Sequence, residues 1–394
     1  MTQKNISNIM YKPIYKDGSI VNLMSSVLKT YGAKSTYESL KILKPDELRK
    51  SKNVVLIVID GLGYEYLTKY GKGTVFNNYL RGKITSVFPA TTATAITTFV
   101  TGVAPQQHAI TGWYVYLKEL GLVSTILPFT PRCGGLSFSQ IKINPKVIFN
   151  QKSVFEKIKA NSYYIIHKDF LGSDYTVALS GRAKSRPFNS LTDFFRQIRR
   201  VLSSTKSEKY VYAYLHKFDS LCHEYGTKSA EVFAYFKNLN KKLIPFLKSI
   251  KGTDTTVIIT ADHGLIDTTK SRIIKLKEHP EFVDTLILPL CGDTRIGYCY
   301  VHPSKIKHFR EYVNRVFKNC CELYRGEELI REKYFGLFEP NENLFSRVGD
   351  YILVMKENYI IRDFVLGEDE YFPIGNHGGV SKEEMFVPLI VVNR

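Results

Sequence analysis

Val54-Val55-Leu56-Ile57-Val58-Ile59-Asp60-Gly61 is the stretch that decides the fold. Six consecutive apolar, mostly β-branched residues suit a strand buried on both faces, as in a parallel sheet covered by helices. The run stops at Asp60-Gly61, a turn signal. The same construction recurs twice. Tyr210-Val211-Tyr212-Ala213-Tyr214-Leu215 leads towards Asp219, and Thr256-Val257-Ile258-Ile259-Thr260-Ala261 leads straight into Asp262-His263-Gly264. Helix-like segments at 153–160, 189–203 and 229–249 lie around these runs. Strands alternating with helices predict an α/β fold, a doubly wound and mostly parallel sheet with helices on both faces. In such sheets ligands bind beyond the carboxyl ends of the strands. Three strands each deliver an aspartate there.

Working outward, residues 21–50 carry helical spacing in Leu23, Val27 and Tyr31, then Tyr37, Leu40 and Leu43, ending at Pro45. Residues 1–50 therefore read as a helical lead-in to a core of 51–269 and 371–394. Phe386 to Val392 supplies a closing core strand. Residues 270–370 differ, with short strand-like runs at 298–302 and 351–356 and a helix around 305–319. They read as a smaller α+β cap inserted into the core.

The chain has 394 residues, 44% hydrophobic and 23% charged, enough to bury a large core without disulfides or structural metal. Its formal charge of +18 draws anions toward it. No run of five basic residues occurs, so contact with nucleic acid is expected only through non-specific charge. Six cysteines form no Cys-x-x-Cys knuckle. Met1 to Asn22 lacks a basic region followed by an apolar core, and no stretch of about 20 apolar residues could span a bilayer. Reduced thiols in a cytoplasmic protein are the expectation.

With the core assigned, the polar residues left over are Asp60, Asp219, His223, Asp262, His263 and His377. Asp219 and His223 lie four apart, which on a helical turn puts carboxylate and imidazole on one face. Asp262-His263 before Gly264 places two ligands in a tight turn, and His377 sits in Asn-His-Gly-Gly. Three Asp and three His suit two zinc ions in mixed nitrogen and oxygen coordination, other divalent transition metals being possible; mostly carboxylate sites would point to magnesium or calcium. A nucleophile candidate lies in Phe88-Pro89-Ala90-Thr91-Thr92-Ala93, at a strand-to-helix junction where free N–H groups favour a phosphate. Thr92 there could bind a metal and attack phosphorus; equally, Thr91 or Thr92 could cap the helix.

Six motifs occur in order: Val-Ile-Asp-Gly-Leu-Gly (58–63), Phe-Pro-Ala-Thr-Thr-Ala-Thr-Ala (88–95), Thr-Gly-Val-Ala-Pro-Gln-Gln-His (101–108), Asp-Ser-Leu-Cys-His-Glu-Tyr-Gly (219–226), Thr-Ala-Asp-His-Gly (260–264) and His-Gly-Gly-Val-Ser (377–381). As a set, spanning roughly 52 to 394, they resemble the type I phosphodiesterase/nucleotide pyrophosphatase family of the alkaline phosphatase superfamily. The resemblance implies an alkaline phosphatase-like core and a phosphoester or nucleotide substrate. It implies one zinc held by Asp219, His223 and His377, and another by Asp60, Asp262, His263 and the hydroxyl of a Thr92 nucleophile. Thr91 is the neighbour to test next. Better-known members carry an Asn after the His-Gly-Ile stretch that helps bind a phosphoryl oxygen. Here His108-Ala109-Ile110 runs into Thr111-Gly112-Trp113, without that donor. Trp113 is a candidate for stacking on a base, and Arg132 for contacting phosphate.

Among rivals, a sulfatase needs Cys or Ser in a Cys/Ser-x-Pro-x-Arg context, and Cys291 continues as Gly-Asp-Thr-Arg. A cofactor-independent phosphoglycerate mutase is longer and uses serine. A phosphonoacetate hydrolase or a phosphomonoesterase of the same superfamily stays open, as does a non-catalytic, metal-stabilised anion-binding protein.

Overall fold

A computed structural model describes residues 10–204 and 206–394. Residues 1–9 of the lead-in, and with them the start of the Met1–Asn22 segment, lie outside the described residues. Seven strands build the main sheet: β1 (Asn53–Ile59), β2 (Leu80–Thr85), β3 (Asn161–His167), β4 (Lys184–Phe188), β5 (Lys209–Leu215), β6 (Thr255–Thr260) and β7 (Phe386–Asn393). Their order is β2-β7-β6-β1-β5-β3-β4. Pairing is parallel from β6 through β4, and β7 alone runs against its neighbours. Every residue of β1, β5 and β6 is buried, which requires cover on both faces. Each fully buried Val, Ile or Leu there adds about 1.5–3 kcal/mol of hydrophobic stabilisation before entropy is charged against it.

The helices are α1 (Ile20–Thr30), α2 (Thr92–Thr101), α3 (Leu191–Ser204), α4 (Lys217–Tyr225) and α5 (Ala230–Ser249), with several shorter turns. The lead-in is less helical than its spacing predicts. Helix α1 stops before Gly32, whose φ of +73° takes the chain into the left-handed region. Tyr37, Leu40 and Leu43 are buried without being helical. Pro45 begins a short helix, Pro45–Leu48, instead of ending one; proline has no N–H to lose at a first helical position.

A second sheet is antiparallel, in the order 321–325, 351–355, 296–299, 291–293, 114–117, 122–125, 130–131. It draws strands from two separate stretches, so 114–131 joins it from outside the 270–370 interval. Gly292 pairs with Tyr114 where the stretches meet. This pairing brings residue 293 against the end of the main sheet.

The two sheets are tied by a buried ion pair. Arg295 donates from Nε and Nη2 to the two carboxylate oxygens of Glu384, each at 3.0 Å, and both side chains are buried. Glu384 also accepts from Gly379 N at 2.7 Å. Burial alone would raise the Glu384 pKa, but the guanidinium and these donors hold it below the ordinary glutamate value. Replacing Arg295 with Met strands a buried carboxylate and should cost about 3–5 kcal/mol at pH 7. The native pair contributes stability above the unfolded glutamate pKa, which is lost as pH falls through the depressed folded value. In Arg295→Met burial acts on the carboxylate without its cation and raises its pKa, so the variant recovers by protonation as pH falls; denaturant unfolding of both proteins should show the gap narrowing from pH 7 to pH 4 and closing further below it.

Candidate active site

Register alone brings three aspartates to one edge. Ile59 lies opposite Leu215 and Val58 opposite Thr260, so the chain beyond β1, β5 and β6 emerges side by side. Asp60 N still donates to Leu215 O at 2.9 Å, one step past the strand. Gly61 N then donates to Asp262 Oδ1 at 3.1 Å. Gly61 has φ of +74°, and a Cβ there would meet Leu265 at 2.5 Å and Asp219 at 3.2 Å. Only glycine permits that approach.

Asp219 and His223 share one face of α4, with Asp219 Oδ2 3.1 Å from His223 Nε2. His377 arrives by a separate route. Residues 375–376 pair antiparallel with 266–267, Gly378 N donates to Ala90 O at 2.9 Å, and the His377 ring stacks on His263 with centroids 3.9 Å apart. Thr92 opens α2, and its Oγ1 lies 3.1 Å from His263 Nε2. Neither threonine caps the helix with its side chain. The Thr91 hydroxyl donates instead to Asp293 Oδ2.

Four buried atoms of these side chains lack any hydrogen-bond partner: Asp60 Oδ1, Asp219 Oδ1, Asp262 Oδ2 and His377 Nδ1. Orphaned buried oxygens are costly, and they are what a cation would satisfy. Ligand atoms of Asp60, Asp262 and His263 lie within 4.8 Å of one another, and so do those of Asp219, His263 and His377. The first group matches an expected metal set. The second has His263 where the expected set has His223, so His263 sits between the two. The donor set therefore fits two zinc-like ions. Two carbonyls accept from the other nitrogens: His223 Nδ1 is 2.7 Å from Gly375 O, and His263 Nδ1 is 3.1 Å from Gly264 O. With Nδ1–H donating, each Nε2 is turned to the cluster.

The electrostatics describe a site short of positive charge. Burial, then Asp262 and Asp219, push the Asp60 pKa well above the usual carboxylate range, against the hydroxyl of Tyr214 that donates to its Oδ2. Burial opposes ionisation of Asp219 too, but His223 holds it below its ordinary value. Burial likewise works against the His223 imidazolium, yet Asp219 pushes its pKa up to about 9.

The cluster opens into a cavity of about 660 Å³ lined by Thr92, Trp113, Tyr164, Phe170, Tyr175 and Tyr371, among others. Trp113 thus lies where a ring could stack. Arg132 does not line this cavity. It is buried, donates to Glu368 from Nε and Nη2 at 3.1 and 3.0 Å and to the Leu290 carbonyl at 2.7 Å, and covers the Tyr114 ring. Its charge is consumed by structure, and the structure does not bring it to the cavity where a phosphate contact was expected. Sequence reading missed three residues that do line the cavity: Tyr214, Asp293 and Arg362. Tyr214 could have been found, because alternation along β5 turns it towards the Asp60 end. Asp293 and Arg362 come from the second unit and carry no local signal.

A family model described as type I phosphodiesterase / nucleotide pyrophosphatase matches residues 54–380. Human ectonucleotide pyrophosphatase/phosphodiesterase family member 5 is 22% identical over 378 residues, 90% of this chain and 70% of that protein. The solved murine ectonucleotide pyrophosphatase/phosphodiesterase 5 superposes with a TM-score of 0.66 at 18% identity, over 85% of this chain and 87% of that one. It is also solved as an inactive threonine-to-alanine variant in complex with AMP, with a TM-score of 0.64 at 18% identity over 85% and 87% of the two chains. Phosphonoacetate hydrolase from Sinorhizobium meliloti 1021, in complex with phosphonoformate, gives 0.63 at 18% identity over 87% and 90% of the two chains. Among the described residues no helix is long and apolar enough to cross a membrane.

The orphaned oxygens predict a thermal response. Zinc added to chelator-treated protein should raise Tm, by the equivalent of about 2.7 kcal/mol at 100 times Kd. Asp60→Asn keeps the shape and removes one ligand charge, and differential scanning calorimetry should show most of that rise lost.

Proposed function

The chain belongs to the type I phosphodiesterase/nucleotide pyrophosphatase family, a family of phosphoester hydrolases, and from that premise we propose a two-zinc hydrolase of phosphodiesters and nucleotide pyrophosphates with Thr92 as nucleophile. One observation carries the reading: four partnerless buried ligand atoms converge beside a hydroxyl that has no capping task. Asp219, His223 and His377 would hold one ion; Asp60, Asp262 and His263 would hold the other, with the Thr92 hydroxyl. When bound, such a pair supplies Lewis-acid chemistry, easing loss of the hydroxyl proton and neutralising charge on the leaving oxygen.

The chain's own groups do the rest. The carbonyls of Gly264 and Gly375 lock two imidazoles in the tautomer that presents Nε2. The free N–H groups at the start of α2 favour the phosphoryl oxygens, helped by the helix dipole. Thr92 Oγ gives up its proton to solvent and forms a bond to phosphorus as the opposite P–O bond breaks, that bond's electron pair leaving on the ester or phosphate oxygen. Water then attacks phosphorus, releases the phosphate product and returns the proton to Thr92.

Substrate size favours a nucleotide over a small phosphonate. A cavity of about 660 Å³ with seven aromatic rings, Trp113, Tyr114, Tyr164, Phe170, Tyr175, Tyr214 and Tyr371, has room and stacking surface for a base. AMP in the murine relative supports the same class. A purely anion-binding role would leave the Thr92 hydroxyl without a use.

Thr92→Ala should keep zinc, measured by elemental analysis, and lose turnover of bis(p-nitrophenyl) phosphate by at least about 10³-fold. Thr91→Ala should lose far less. Equal activity of Thr92→Ala and wild type would end the nucleophile assignment.

A further inference from the structure

Arg362 is the one Lys or Arg among the described residues that lines the cavity. The three arginines buried most deeply are spoken for: Arg132 by Glu368, Arg295 by Glu384 and Arg347 by Glu119. Arg362 has no such partner among the described residues, and its Nε is buried without a hydrogen bond. Its position is nonetheless fixed. Residues 360–362 pair in parallel with 273–275, Ile361 N donates to Thr294 O at 2.9 Å, and the guanidinium lies over the Phe364 ring at 4.9 Å. Its field reaches Asp293, Tyr114 and Tyr371. Asp293 in turn holds the hydroxyl of Thr91, the neighbour of Thr92.

Charge gives this loose cation a task. Five carboxylates, Asp60, Asp169, Asp219, Asp262 and Asp293, lie in the cluster or line the cavity, one more than two divalent ions would neutralise. Arg362 offsets the fifth, so an anionic substrate does not enter against net negative charge.

We propose that Arg362 contacts a non-bridging oxygen of the bound phosphoryl group and sets the discrimination between dianionic and monoanionic phosphoryl substrates. An amide donates to either form almost equally. A guanidinium makes charge-assisted bonds in a planar fork that matches two phosphate oxygens, and it gains from each added negative charge. Beside the diesters and pyrophosphates of the reading above, the ligand class that Arg362 adds is therefore a terminal, doubly charged phosphoryl group, recognised from the strand 360–362. The inference rests on the phosphoester-hydrolase reading given above.

The test compares zinc-loaded wild type, Arg362→Gln and Arg362→Lys on p-nitrophenyl phosphate and bis(p-nitrophenyl) phosphate, beside calorimetric binding of inorganic phosphate. For Arg362→Gln, kcat/KM on the monoester should fall by about 10- to 100-fold, a loss at least about ten times that on the diester. Phosphate affinity should weaken by a similar factor, and Arg362→Lys should recover part of both. Equal losses on the two esters, or phosphate affinity unchanged in the variant, would overturn the assignment. If wild type hydrolyses neither ester, the hydrolase reading fails on its own, and the phosphate titration still decides Arg362. Should Arg362→Gln not fold, Arg362→Lys carries the same comparison: a selective monoester loss of a few-fold supports the role, and none refutes it.

Discussion

Three carboxylates held together out of water are the constraint around which this molecule is arranged. Asp60, Asp219 and Asp262 are each less than a tenth exposed, and their mutual repulsion in a low-dielectric setting is unfavourable unless cations offset it. The backbone forces the approach. Parallel pairing of β1 with β5 and β6 ends all three strands at one level, and Gly61 removes the side chain that would keep Asp60 and Asp219 apart. Hydrophobic burial of the three strands, a far larger free energy than any single contact, therefore drives an electrostatically unfavourable cluster into place.

The second sheet completes this arrangement. His377 lies in a segment pinned from three sides: by 266–267, by the Ala90 carbonyl and, through Glu384 and Gly379, by Arg295. Arg295 follows the strand 291–293, which also delivers Asp293 to Thr91. The short antiparallel strands thus act as a brace. They hold a histidine over the main-sheet cluster and a carboxylate against Thr91.

What was legible in the sequence follows from how local each signal is. The apolar runs at 54–59, 210–215 and 256–261 could only be buried strands, and the aspartates came with them as strand ends. Asp219 and His223 were legible because four residues make one helical turn. The lead-in misled because Tyr37, Leu40 and Leu43 are buried in irregular chain, where apolar spacing has no helical meaning. Arg132 misled because an arginine buried on Glu368 has the same letter as one awaiting phosphate. Asp293 and Arg362 were invisible for a deeper reason. Their placement depends on pairings such as Gly292 with Tyr114, 178 positions apart in the chain, and no window of local sequence encodes those. The extent of the second unit was hidden by the same long-range pairing.

The helix that begins at Thr92 shows how little freedom the site retains. All ten residues of α2 are buried, although four of its residues besides Thr92 are threonine, a residue whose branched side chain and competing hydroxyl weaken helices. Three of those hydroxyls are turned inward to partners, while the buried Thr94 Oγ1 has none among the described residues. Thr97 and Thr101 donate to Ala93 O and Thr97 O at 2.6 Å, and Thr98 meets His108 at 3.1 Å. Thr97 also bonds to Tyr175, whose side chain lines the substrate cavity. The first two bonds move with the helix, but a shift of α2 would break those to His108 and Tyr175, each costing about 1–3 kcal/mol when left unsatisfied. The Thr92 hydroxyl, at the one end of α2 that meets the cavity, is therefore set before any substrate arrives. On the proposed reading, selectivity then comes from the charge of the ligand and the cationic group that meets it, and not from adjustment of Thr92.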